Sequence, residues 1–151
     1  MVQPIPRTAA RVLLIDQDDR ILLLHGTDPA DPTDVYWLPP GGGLEPGENP
    51  AQGAARELFE ETGLRIDPAD LGEPVFRNIV DFSFDRRSYH QEQDFFLLRV
   101  PFWEVDTSHH GDEEHATFIG YRWWTLDDLE STPDAYYPEG LPGLLRSLVE
   151  V

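Results

Sequence analysis

Gly42 to Leu64 reads GGLEPGENPAQGAARELFEETGL. Asn49 is a good helix N-cap, Pro50 suits the first helical position, Gln52 completes a capping box, and Gly63 supplies the stop, so a loop followed by a helix is expected. Within the helix, Ala51, Ala54, Ala55, Leu58 and Thr62 recur at helical spacing and share a flank that can face a core. Glu57, Glu60 and Glu61 fall on the other flank at i, i+3 and i+4, with Gly53 one turn earlier leaving room above them. Like charges at this spacing destabilise a helix by a few tenths of a kcal/mol per pair, so they call for a function. All-oxygen donors suit a hard divalent cation, Mg²⁺ with Mn²⁺ as a substitute, held by a few carboxylates together with water and substrate phosphates.

The spacing is more specific than three acids on a helix. Gly42, five residues, Glu48, seven residues, Arg56-Glu57-Leu58, one residue, Glu60-Glu61, one residue and Gly63-Leu64 reproduces every fixed position of the Nudix box. By average residue usage such a match arises on the order of once in 10⁹ start positions. The chain therefore resembles the Nudix hydrolases, the MutT-like pyrophosphohydrolases, through a motif covering under a sixth of its length. The resemblance implies an α+β fold of the Nudix type, an α/β/α sandwich around a mixed sheet. It implies that the Gly42 carbonyl joins Glu57, Glu60 and Glu61 at the metal, and that Glu48 and Arg56 form an ion pair bracing loop against helix.

The remaining composition bounds the reading. A chain of 151 residues without cysteine is expected to form one domain over 1–151, with no disulfide or thiolate chemistry. It has no apolar run of membrane-spanning length and no basic, apolar leader at MVQPIPRTAA, so a cytoplasmic protein without a membrane partner is expected. The net charge of −18 opposes binding of nucleic acid through its phosphates and does not help a small phosphorylated substrate either; the small-molecule nucleotide expected as partner is what the resemblance implies. Local cations must then reverse the field at the site. Many members of the resembled family pair, so a homodimer is also an expectation.

Along the chain, Thr8 to Asp16 and Ile21 to Leu24 read as a β-hairpin across a polar turn, and Gly26 to Asp34 as a loop. Val35 to Leu38 is a short strand leading to Pro39-Pro40-Gly41-Gly42-Gly43. No Gly-Lys-Ser/Thr follows this run, so a Walker-type grip is not expected, but Gly42 and Gly43 can bring backbone close to a ligand. Glu73 to Phe84 and Tyr89 to Phe102 read as an antiparallel pair joined by Asp85 to Ser88. Thr117 to Trp124 is a strand, Thr125 to Leu129 a short capped helix, and Leu141 to Val149 an amphipathic helix.

Outside the box, Arg77, Arg86 and Arg87 are candidates for substrate phosphates. Phe82, Tyr89 and Trp103 are candidates for stacking a base, and Glu92 is a further acidic candidate. His109, His110 and His115 lie in a polar segment whose order matches no zinc spacing. The family commonly brings another carboxylate from a loop before a late strand, which points to Glu113 or Glu114, with Glu114 preferred. Glu57, Glu60 and Glu114 all remain candidates for the general base, with Arg56 beside them. The chemistry implied is hydrolysis of a diphosphate linkage in a nucleoside diphosphate derivative. A Nudix-fold sensor that binds without cleaving is the alternative, and the intact acidic positions favour the enzyme. A prenyl diphosphate isomerase lacks its cysteine, and no branch signature outside the box selects a substrate.

Overall fold

The computed structural model describes residues 3–111 and 116–150. Among the described residues seven strands form one mixed sheet: β1 (Ile5–Ile15), β2 (Ile21–Asp28), β3 (Asp31–Leu38), β4 (Gly41–Gly43), β5 (Phe76–Phe84), β6 (Arg87–Arg99) and β7 (Phe118–Trp124). Helix α1 spans Pro50–Thr62, α2 Leu126–Ser131 and α3 Leu141–Val149, with a 3₁₀ turn at Pro68–Leu71. The spatial order is β3-β2-β1-β6-β5, with β4 on β1 and β7 on β2.

The expected β1–β2 hairpin exists only at its base. The two strands pair at Ile15↔Ile21 and then separate. Beyond that point β1 runs parallel to β6 over its whole length and antiparallel to β4, while β2 pairs with β3 and β7. The near-continuous burial from Val12 to Ile15 is what a strand covered on both faces requires. The divergence opens a cleft in the middle of the sheet.

Two further expectations are corrected. Gly26 to Asp34 is a hairpin end instead of a loop, because Asp28 is buried and accepts the backbone N–H groups of Ala30 and of Asp85, each at 2.9 Å. The β5–β6 turn is shorter than Asp85 to Ser88. Asp85 and Arg86 both have positive φ, 50° and 66°, the pattern of a two-residue hairpin, and Arg87 already belongs to β6.

The two faces of the sheet carry separate cores. On one, Ala54 and Leu58 of α1 pack against Ala10, Val12, Leu14, Leu22 and Leu24. On the other, Leu129 of α2 and Leu141 and Leu145 of α3 pack against Leu13, Ile15, Ile21, Leu23, Phe95 and Trp124. Helices on both faces give the α/β/α layering. The caps of α1 are as the sequence specifies: Asn49 Oδ1 accepts Gln52 N–H at 2.8 Å, Gln52 Oε1 accepts Asn49 N–H at 2.9 Å, and Gly63 closes the helix at φ 78°. Trp124 is fully buried, while Trp123 packs at the edge of the opposite core.

Candidate active site

The cleft left between β1 and β2 is a cavity of about 450 Å³, walled by β1, β2, β3, the β4 glycines, α1, β5 and β6. Glu57, Glu60 and Glu61 all line it, together with Arg56, Gly42 and Gly43. The helix presents the three carboxylates to one space, but their surroundings differ. Glu61 is half-buried and accepts the N–H of Gly41 at 2.8 Å. Glu57 interacts electrostatically with Glu61 and accepts from Arg56 Nη1 at 3.1 Å, and Glu60 lies 3.4 Å from the same Nη1. Burial, followed by the Glu57 charge, pushes the Glu61 carboxyl well above its ordinary range. Burial also raises Glu57, against the opposing pull of Arg56. Two confined carboxyls raised in this way favour sharing a proton or binding a cation. Among the described residues no three acidic or histidine side chains close on a point by themselves.

Glu48 and Arg56 meet as expected. Arg56 donates from Nε to Glu48 Oε2 at 2.8 Å and from Nη2 to Glu48 Oε1 at 3.0 Å, a bidentate fork, and also from Nη2 to the Gly43 carbonyl at 3.1 Å. These bonds hold Glu48 below the ordinary carboxylate range and raise Arg56, with the Glu48 hydrogen bond as the leading cause in the latter.

The glycines act differently from the expectation. A Cβ on Gly53 would collide with Leu44 and stand 3.0 Å from Glu48 Oε1. Gly53 therefore admits the bracing loop instead of leaving space above the acids. Along β4, a Cβ would meet Arg11 and the Ala10 carbonyl at Gly41, Glu57 Oε1 at 2.9 Å at Gly42, and the Arg7 guanidinium at 2.5 Å at Gly43. The run lets backbone approach the cavity's own side chains.

Apart from Arg56, the cations of the cavity are not the ones that the sequence singles out for substrate phosphates. Arg77 is engaged with Asp94 at 3.1 Å on an exposed face, and Arg86 and Arg87 sit at the β5–β6 turn. Arg7 and Arg11, both on β1, line the cavity instead. Arg11 donates to Gln93 Oε1 at 3.1 Å and to the Pro39 carbonyl at 3.0 Å. Burial lowers its pKa, while Glu61 and Glu57 pull the other way. The available signal was a lone arginine inside the apolar run of β1. Of the base-stacking candidates, Phe82 lines the cavity and stacks on Tyr89 at 5.4 Å. Trp103 packs in the α1-side core and donates to the Thr62 carbonyl at 2.8 Å. Glu92 is exposed on β6, outside the cavity.

His110 is buried with Nε2 3.0 Å from the Glu61 carbonyl oxygen, so it braces the end of α1. His109 packs on Phe59. Glu113, Glu114 and His115 lie outside the described residues.

A mixed sheet opened beside a capped helix that carries the box acids defines a Nudix hydrolase. The family model "NUDIX domain" matches residues 5–144, and the chain belongs to this family of enzymes acting on diphosphate bonds. Among its relatives, the RNA pyrophosphohydrolase of Rhodopseudomonas palustris (strain BisB18) is 31% identical, the match covering 95% of this chain and 86% of that protein. The RNA pyrophosphohydrolase of Bradyrhizobium sp. (strain ORS 278) is 33% identical, covering 82% and 80%. In fold, the chain is similar to the MutT protein from Methanosarcina mazei Go1, with a TM-score of 0.68 at 20% identity over 99% of this chain and 97% of that one.

Proposed function

We propose that the chain, acting as one unit over 1–151, hydrolyses a diphosphate linkage in a nucleoside diphosphate derivative with the help of Mg²⁺, for which Mn²⁺ can substitute. The observation that carries this reading is the single cavity shared by Glu57, Glu60 and Glu61 on one side and Arg7 and Arg11 on the other. The donor set fits a hard cation: carboxylates and the Gly42 carbonyl are oxygen ligands, and the half-buried Glu57–Glu61 pair is relieved by positive charge. A bound divalent ion would neutralise phosphate charge and lower the pKa of a water. Because the three acids alone form no closed cage, water and substrate phosphates complete the set.

The chain's own residues supply the rest. Glu57 and Glu61, the more buried acids, act as ligands. Glu60 is the more open of the two acids beside Arg56, with 33% of its side chain exposed against 13% for Glu57, which favours it for taking the proton of the attacking water. Glu114 remains a candidate for the same task. Arg7 and Arg11 offset the net charge of −18 locally and orient the anionic substrate. Glu48, through Arg56 and the Gly43 carbonyl, keeps the loop in register with the helix.

A second substrate reading, the 5′-triphosphate end of an RNA, is favoured by the relatives' names. The acidity of the chain weighs against a long RNA contact, so a small nucleotide, with no nucleic acid or membrane partner, is preferred. A cytoplasmic location and a homodimer are part of the same proposal. The test is phosphate or pyrophosphate release from a panel of nucleotides and a 5′-triphosphorylated oligonucleotide, with and without Mg²⁺. Metal-dependent turnover of nucleotides supports the reading. Binding without turnover would favour a sensor, and preference for the oligonucleotide by more than tenfold would favour the RNA end.

A further inference from the structure

Gln91 is 2% exposed, lines the cavity, and has a side-chain oxygen with no hydrogen-bond partner among the described residues. A buried, unsatisfied acceptor is uncommon and needs a cause. The orientation of its amide is fixed by a relay that begins at Arg11. A guanidinium can only donate, so the Gln93 atom 3.1 Å from Arg11 Nε is the carbonyl oxygen. That oxygen also receives Gln91 Nε2 at 3.0 Å, while Gln93 Nε2 donates to Asn78 Oδ1 at 2.9 Å. Turning the Gln91 amide over would set two oxygens against each other. Its Oε1 is therefore held as an acceptor whose desolvation is uncompensated while it lacks a donor.

The neighbours indicate what kind of donor this is. Arg7 stands beside Gln91 in the β1–β6 register. Phe82 lies two residues along β5 from Val80, the cross-strand partner of Gln91, and both Phe82 and Phe84 line the cavity. Aromatic side chains lining the same cavity as a fixed acceptor suit a flat, amino-bearing heterocycle, and the adjacent guanidinium suits the phosphate attached to it. Resting on the nucleotide reading above, we propose that Gln91 Oε1 is the specificity acceptor for an amino N–H on the edge of the substrate's base, with Phe82 and Phe84 alongside the ring. Arg11 and Gln93 act as positioning residues that set the polarity of Gln91.

The test pairs a deletion in the protein with a deletion in the ligand. Wild type and Gln91→Met are assayed for kcat/KM on nucleotide pairs differing by one amino group: ATP with purine riboside triphosphate, GTP with inosine triphosphate, and CTP with its 4-deamino analogue. Ribose 5-triphosphate serves as the base-free control, and binding of the matching monophosphates is measured by calorimetry. The wild type is expected to lose about tenfold for at least one pair on removal of the amino group. Gln91→Met should treat both members of that pair alike within twofold and lose less on the base-free control than on the amino-bearing member of the pair. Indifference of the wild type in every pair, or an equal loss by Gln91→Met on the base-free control, overturns the assignment. The ligand-side comparison decides even if the variant does not fold. Absence of wild-type turnover on every nucleotide removes the nucleotide reading itself, and this inference with it; normal turnover without amino discrimination removes this inference alone.

Discussion

Glu61 accepts the backbone N–H of Gly41 at 2.8 Å, and this bond ties the end of the box helix to the short strand β4 in the centre of the sheet. This half-buried carboxyl serves the fold as an acceptor and, in the proposed function, the cation as a ligand. The two roles separate on substitution. Glu61→Gln keeps the acceptor and removes a group that burial and Glu57 both raise. Without metal the variant is expected to melt at or above the wild-type temperature, and with Mg²⁺ to hydrolyse nucleotides at least about a hundredfold more slowly. Thermal unfolding and steady-state kinetics check both halves.

The glycines of β4 give a graded series. Gly41 has φ 152° and its missing Cβ points at the Ala10 carbonyl, so Gly41→Ala should cost about 1–3 kcal/mol in urea unfolding. At Gly43 the obstacle is the end of the Arg7 side chain, which can move. Gly43→Ala should fold normally and raise KM several-fold by displacing Arg7, with a smaller change in kcat.

Much of this was legible in the sequence, for a physical reason. Helix α1 carries its instructions locally, in Asn49, Pro50, Gln52 and Gly63, and the placement of Glu57, Glu60 and Glu61 follows from helical periodicity. What could not be read depends on pairing between distant strands. The separation of β1 from β2 after Ile15↔Ile21, and with it the cleft, is set by β6 and β7 far along the chain. Arg7 and Arg11 became site residues only through that separation, whereas Arg77, more conspicuous in the sequence, is held by Asp94. The role of Gly53 is not legible in the helix alone, because its neighbour Leu44 comes from the loop.

The Glu48–Arg56 fork gives a pH dependence of known sign. Its hydrogen bond to Arg56 holds the Glu48 carboxyl below its ordinary range, so the stability it contributes is complete above the unfolded glutamate value, about 4.3. That contribution is lost as pH falls through the lower folded value. Urea unfolding of the wild type should weaken between about pH 5 and pH 3. Glu48→Gln should be less stable at pH 7, by about 1–3 kcal/mol, and show a flatter decline on acidification.

The helix also depends on its apolar flank. Leu58 is fully buried against the β1–β2 core, and Leu58→Ala should cost about 2–5 kcal/mol in urea unfolding while leaving the order of nucleotide preference unchanged.

The most direct measurement is anomalous diffraction at the manganese edge from crystals soaked in Mn²⁺ and a slowly hydrolysed nucleotide. The account predicts a peak within about 2.0–2.3 Å of carboxylate oxygens from Glu57 and Glu61, with a substrate phosphate oxygen completing its shell. A peak held by other residues, or none beside these acids while the nucleotide is bound and turned over, would contradict it.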